Sequence, residues 1–150
     1  TRGGGVEDVV VDNCEAQGIK NVLQVTLNWN PAYSYTKLPE GMIEMPEHWK
    51  VMSQQVPREK GIAHFRNVTL SNCTATDVRN SVFEVAGMEE SYVEDFKITN
   101  LKVSAPQAGF IKYASNWQME NIDITASNDQ PFVVEHSKNI SQKKVIVKKQ

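Results

Sequence analysis

Phe65-Arg66-Asn67-Val68-Thr69-Leu70-Ser71-Asn72-Cys73 is the stretch that decides the fold, because its pattern returns along the chain. Upstream stands Val6-Glu7-Asp8-Val9-Val10-Val11-Asp12-Asn13-Cys14. Downstream stand Val93-Glu94-Asp95-Phe96-Lys97-Ile98-Thr99-Asn100-Leu101, Met119-Glu120-Asn121-Ile122-Asp123-Ile124-Thr125-Ala126-Ser127 and the shorter Ser137-Lys138-Asn139-Ile140-Ser141. With Val9, Val68, Phe96, Ile122 and Ile140 as anchors, an Asx residue precedes each one: Asp8, Asn67, Asp95, Asn121, Asn139. An aliphatic residue follows two places on at Val11, Leu70, Ile98 and Ile124, with mostly polar residues between. That period-two alternation is the signature of a strand with one buried face.

These anchors lie 59, 28, 26 and 18 residues apart. A second strand-like segment falls between them, as Ser81–Ala86, Ala108–Tyr113 and Gln130–Glu135, with Phe83, Phe110 and Phe132 in matching places. No helical period long enough for a crossover helix intervenes. Internal repeats of this length indicate a stacked architecture. An antiparallel sandwich also has short strands, but its strands have different neighbours and need not match column by column. In a solenoid each turn of chain sits on its own equivalent about 4.8 Å away, so like residues lie on like. Asn13, Asn72 and Asn100 fall four places after their anchors, and Asn tolerates the left-handed backbone of a sharp turn. Ala126 interrupts that column in the fourth copy. The expectation is an all-β chain, a right-handed single-stranded parallel β-helix of about five coils. Cys14 and Cys73 share a column, and two alternatives stand: a disulfide between stacked coils, or a buried ladder of free thiols.

Residues 31–62 break the repeat, with Pro31, Pro39, Pro46, Pro57 and aromatic Tyr33, Tyr35 and Trp49. This reads as a long ordered loop insertion over one flank, with a helical turn between Met42 and Met52 limited by Pro46. Its aromatics suit carbohydrate, since sugar rings stack their C–H faces on Trp and Tyr while basic groups pair with a sugar carboxylate. The candidate substrate-binding residues are Trp29, Tyr33, Tyr35, His48 and Trp49, with Lys50, Arg58 and Lys60 as accompanying cations. The competing reading is that Trp29 and Trp49 pin the loop onto the sheet as a satellite core.

The chain has 150 residues, 40% of them hydrophobic, and a net charge of −2, the size and balance of one domain without an electrostatic case for nucleic acid. No run of about 18 apolar residues suggests a membrane helix. The cysteines lack metal spacing, and no cofactor motif appears. Lysines crowd the tail, residues 142–150, read as a solvated basic terminus. Glycosidic hydrolysis needs two positioned carboxyl groups. Glu7-Asp8 and Glu94-Asp95 recur in a column where Arg66-Asn67 serves equally well, so they are turn residues, and no catalytic residue is assigned. Three Asn-x-Ser/Thr triplets, at Asn67, Asn72 and Asn139, are read as coincidences of the repeat.

From Thr1 to about Ser141 the chain resembles the C-terminal third of glycoside hydrolase family 28, the polygalacturonases, and especially its bacterial, Bacteroides-like members. Thr1-Arg2-Gly3-Gly4-Gly5-Val6-Glu7-Asp8-Val9 is similar to the continuation after that family's Arg-x-Lys motif, so the chain reads like the middle of something longer. Val25-Thr26-Leu27-Asn28-Trp29 is similar to a strand closed by a substrate-contacting aromatic, with Trp where the family usually has Tyr. Pro46-Glu47-His48-Trp49-Lys50 followed by Phe65-Arg66-Asn67-Val68 is similar to the bacterial subgroup. The resemblance implies a pectin-lyase-like solenoid and an inverting hydrolase of galacturonate or rhamnogalacturonan chains, secreted or periplasmic. Its aspartates, in Asn-x-Asp and Asp-Asp motifs, and its His-Gly motif would precede Thr1. The alternative is a non-catalytic module for polysaccharide binding or support. Uncapped coils lead us to expect end-to-end self-association.

Overall fold

A computed structural model describes residues 3–27, 44, 46–54, 57–128 and 130–149. The chain passes repeatedly between two sheets in which every strand pairing is parallel. The long-strand sheet has β1 (Gly5–Asp12), β4 (His64–Thr76), β6 (Val93–Ala105), β8 (Ala114–Ala126) and β10 (Lys138–Lys149) side by side in that order. Short β2 (Glu15–Gln17) extends the line of β1 along β4. The short-strand sheet runs β3 (Asn21–Thr26), β5 (Ser81–Ala86), β7 (Gln107–Lys112), β9 (Val133–Glu135). Helices α1 (Glu47–Ser53) and α2 (Arg58–Gly61) lie between β3 and β4, each beginning directly after a proline, Pro46 and Pro57. Proline has no N–H to lose there and blocks helix on its N-terminal side, so the expected helical turn starts at Pro46 instead of being cut by it.

In the parallel register like residues pair with like at several rows, and one alignment is corrected. Val9 pairs with Val68, and Val68 with Phe96. The next residues in that row are Trp117 and Ile140, because Lys97 pairs with Gln118 and Ile140 with Trp117. Ile122 instead pairs with Leu101, five residues further along the strand. The fourth copy is therefore displaced by five residues from the sequence alignment, and the last three anchors are separated by 21 and 23 residues instead of 26 and 18. The cause is that each long strand carries two Asx-type bends five residues apart, so a five-residue slip satisfies the same pattern.

Both rows of bends adopt the left-handed backbone. Asp8, Asn67, Asp95, Asn116 and Asn139 have φ between 55° and 60°, and Asn13, Asn72, Asn100, Asn121 and Lys144 between 52° and 59°. Left-handed φ costs an ordinary residue about 1–2 kcal/mol, which Asn and Asp partly offset by local hydrogen bonds. Here the amides bond along the stack. Asn72 Nδ2 donates to Asp12 Oδ1 (2.8 Å), Asn100 Nδ2 to Asn72 Oδ1 (2.8 Å) and Asn121 Nδ2 to Asn100 Oδ1 (2.7 Å). In the other row Asn67 donates to Asp8, Asn116 to Asp95 (3.1 Å) and Asn139 to Asn116 (3.0 Å). Ala126 does not interrupt the ladder; Asn121 fills that place. The amides of Asn67, Asn72 and Asn139, the three Asn-x-Ser/Thr positions, are all committed to these contacts.

Between the sheets lies one core cluster with Phe83, Val85, Phe96, Ile98, Leu101, Ile111, Trp117, Ile122 and Ile124 at its centre. Trp117 stacks flat on Phe96 at 4.4 Å, and its Nε1 donates to the Val93 carbonyl at 2.9 Å, which satisfies the one polar atom of the ring. The phenylalanine column is also corrected. Phe83 pairs with Gly109, whereas Phe110 pairs with Val133 and lies beside Glu84 on the outer face. Gly109 has φ +93°, and a Cβ there would run into the Phe83 carbonyl. With no side chain between them, the rings of Phe83 and Phe132 meet edge to face at 5.1 Å.

The basic tail is a strand whose lysines are exposed. β10 pairs with β8 as far as Lys149 opposite Ala126, turning Ile140, Val145 and Val147 against the core. Its lysines face outward, where Lys143 reaches Glu120 (2.6 Å) and Lys148 reaches Asp123 (2.9 Å). Of the two cysteine alternatives, the structure has free thiols: Cys73 donates to the Ser71 carbonyl at 3.0 Å, and burial pushes its pKa up. Among the described residues, no helix is long and apolar enough to cross a membrane.

Candidate functional site

The outer face of the short-strand sheet carries the candidate site. Alternation sends Leu23, Phe83, Val25, Val85 and Ile111 inward, so the residues between them must face out. One outward row is Gln24, Glu84, Phe110, Val133, and the next is Thr26, Ala86, Lys112, Glu135. Over these rows runs a groove of about 930 Å³, with Lys20, Arg79, Glu84, Phe110, Lys112 and Glu135 among its walls. Clefts of this size, with a few convergent polar groups and an apolar floor, are where proteins commonly take small ligands.

Glu84 is the hub of the groove's polar network. Its carboxylate accepts from Asn21 Nδ2 (2.8 Å), Gln24 Nε2 (3.2 Å) and Asn80 Nδ2 (3.2 Å). Asn21 Oδ1 in turn accepts from Asn80 Nδ2 (2.9 Å), the Ser81 N–H (3.2 Å) and the Ser81 hydroxyl (3.1 Å). The network fastens the start of β3 to the start of β5 and fixes the chain entering both strands. At the far side Lys112 pairs with Glu135 at 2.6 Å, and hydrogen bonding to that ammonium holds the Glu135 carboxyl below its usual range. Lys112 Nζ also lies 5.5 Å from the centroid of the Phe110 ring, which is half-buried and faces the groove.

A second aromatic group borders the sheet but offers less to a ligand. Tyr113 and His136 stack on one another at 4.9 Å, Tyr92 meets Tyr113 edge-on at 6.1 Å, and Lys138 covers the Tyr92 ring at 4.6 Å. Faces engaged with each other are closed to a sugar, so this group holds the corner between the two sheets.

Of the sequence-predicted substrate-binding candidates, one side chain is among the described residues. His48 stands exposed on α1, while Trp29, Tyr33, Tyr35 and the side chain of Trp49 lie outside the described residues. Lys20, Arg79, Glu84, Phe110 and Lys112 were missed by reasoning from the repeat, although the alternation around Phe83-Val85 and Ile111 already turns Glu84, Phe110 and Lys112 outward. Phe110 was missed because three evenly spaced phenylalanines resemble a core column. The two carboxylate pairs taken as turn residues behave so: Glu7 pairs with Arg66 at 2.7 Å, Glu94 accepts from the Ser115 hydroxyl, and Asp8 and Asp95 sit in the left-handed bends. Among the described residues no three His, Cys, Asp or Glu side chains are grouped to hold a metal ion.

No family model, curated protein or solved structure matches the chain.

Proposed function

We propose that this chain forms the C-terminal coils of a right-handed single-stranded parallel β-helix belonging to a polygalacturonase-like glycoside hydrolase. In it the short-strand sheet supplies one wall of the cleft for a pectin-type polysaccharide. The observation that carries the reading is the groove on that sheet, where an outward aromatic ring, Phe110, lies among hydrogen-bonding and charged side chains. An aromatic face beside polar groups suits a sugar ring, which has an apolar C–H face and a polar rim. The parallel register and paired Asx ladders support the coil reading. The motif resemblance around Thr1–Val9 and Pro46–Lys50 supports the family.

Hydrolysis belongs to the full-length parent in this reading. An inverting mechanism needs one carboxyl that donates a proton and another that activates water. In this groove Glu84 is engaged by three amides and Glu135 by a lysine, and the chain's part is to hold the polysaccharide. The 150-residue chain alone is therefore expected to release no reducing ends from polygalacturonate. Steady release by a pure preparation overturns this division of labour. The second reading, a non-catalytic polysaccharide-binding module, is favoured by the same engagement of both carboxylates. The coding sequence preceding Thr1 separates the two: Asn-x-Asp, Asp-Asp, His-Gly and Arg-x-Lys in order mark the hydrolase.

A further inference from the structure

Among the described residues some basic side chains pair with a neighbouring carboxylate, Arg66 with Glu7, Lys112 with Glu135, Lys143 with Glu120 and Lys148 with Asp123, and others, Lys97 and Lys102 among them, do not. Of the unpaired ones, Lys20 and Arg79 stand out by their place at the groove. Both are exposed, both line the groove, and among the described residues neither has a carboxylate within ion-pair distance. They are also held side by side, since the Arg79 N–H donates to the Ile19 carbonyl (2.8 Å) and the Asn80 N–H to the Lys20 carbonyl (2.9 Å). Neighbouring parallel chains run about 4.8 Å apart, so the two cationic side chains rise from adjacent positions at one end of the groove. The Glu84–Asn21–Asn80 network lies directly after them in sequence and fixes the backbone from which they project.

We infer that Lys20 and Arg79 form a carboxylate clamp that gives the groove a direction, an inference that rests on its being a saccharide site. The clamp receives the carboxylate of an acidic sugar, while Phe110 takes the C–H face of a neighbouring ring. The Lys112–Glu135 pair at the other side is internally neutral and adds no net attraction for an anion. Arg79 supplies a planar fork that matches a carboxylate, and Lys20 supplies a compact charge. The clamp thus determines specificity and takes no part in bond cleavage.

The test is calorimetric titration of the 150-residue chain with a galacturonate trimer and with the same trimer as its methyl ester, which has the sugar faces without the charge. The clamp predicts that the acid binds roughly tenfold more tightly than the ester at low salt. That preference shrinks toward parity at about 1 M salt, where the screening length falls to about 3 Å. In the Lys20→Gln, Arg79→Gln double variant the preference disappears while affinity for the ester stays unchanged. Equal binding of acid and ester by the wild-type chain overturns the clamp and leaves the saccharide groove standing, and so does a preference that survives in the double variant. Failure of both trimers to bind overturns the groove itself as a saccharide site, and the clamp with it.

Discussion

The two sheets treat their outer faces in opposite ways. On the long-strand sheet, successive strands repeat one chemistry row after row: Asx on Asx at both bends, and lysine against carboxylate beside them. On the short-strand sheet, one outward row reads Gln24, Glu84, Phe110, Val133 and the next Thr26, Ala86, Lys112, Glu135. Repetition in a parallel stack is what stability asks for, since each side chain meets its own kind at about 4.8 Å. Here neighbours still bond, Gln24 to Glu84 and Lys112 to Glu135, but no residue type repeats, and that lack of repetition is what the proposed ligand-facing role expects.

Substitutions that break the comparison on its core side carry the largest effect. Trp117→Ala removes a fully buried ring stacked on Phe96 and leaves the Val93 carbonyl without its donor. It should lower unfolding free energy by about 3–5 kcal/mol in denaturant titration. Phe110→Ala, which removes a half-buried aromatic from the groove, should cost about 1 kcal/mol or less. A Phe110→Ala loss as large as that of Trp117→Ala would place Phe110 back in the core.

The ladder gives the next largest effect, and two substitutions separate its parts. Asn100→Gly keeps the left-handed bend accessible but removes the amide contacts to Asn72 and Asn121, worth about 0.5–1.5 kcal/mol each. Asn100→Ala loses the same contacts and forces a Cβ into that backbone, so it should be less stable than Asn100→Gly by about 1–2 kcal/mol. Equal thermal midpoints for the two variants would show that the conformation at Asn100 is not what the sequence is selecting.

Acidification tests the charged rows and has the smallest expected effect. Asp12 is held below its ordinary value of 3.8 by hydrogen bonds from Ser71 and then Asn72, Glu120 below 4.5 by Lys143, and Glu135 below 4.5 by Lys112. Folded-state values below unfolded ones mean that these groups stabilise the fold above the ordinary carboxylate range. The contribution is lost as pH falls through the lowered folded values. The thermal midpoint should therefore fall between pH 5 and about pH 3. Lys143→Gln should narrow that fall, and a Lys143→Gln chain with an undiminished pH response would remove Glu120 from the explanation.

Much of this architecture is legible in the sequence because a stack writes itself as columns. The Asx-before-aliphatic pattern around Asn67-Val68 and Asp95-Phe96 gave strand, face and neighbour together. It failed at Asn121, because two bends five residues apart make a slipped copy as good a match as the true one. It failed again at residues 142–150, where outward lysines hide the inward row of Ile140, Val145 and Val147. The candidate site was less legible for the reason that makes it a candidate. Alternation alone turns Glu84 and Phe110 outward, but it takes the register of β5 and β7 to set them side by side and the backbone bonds before β3 and β5 to bring Lys20 next to Arg79.

The central claim is that the short-strand sheet is the saccharide face and the long-strand sheet the structural one. Its most direct test is to titrate isotopically labelled chain with galacturonate trimer and follow backbone amide resonances. We predict shifts clustered at Lys20, Arg79, Glu84, Phe110 and Lys112, with the Asx rows from Asn67 to Asn139 unmoved. Shifts concentrated on the Asx rows, or none at saturating trimer, would contradict the assignment.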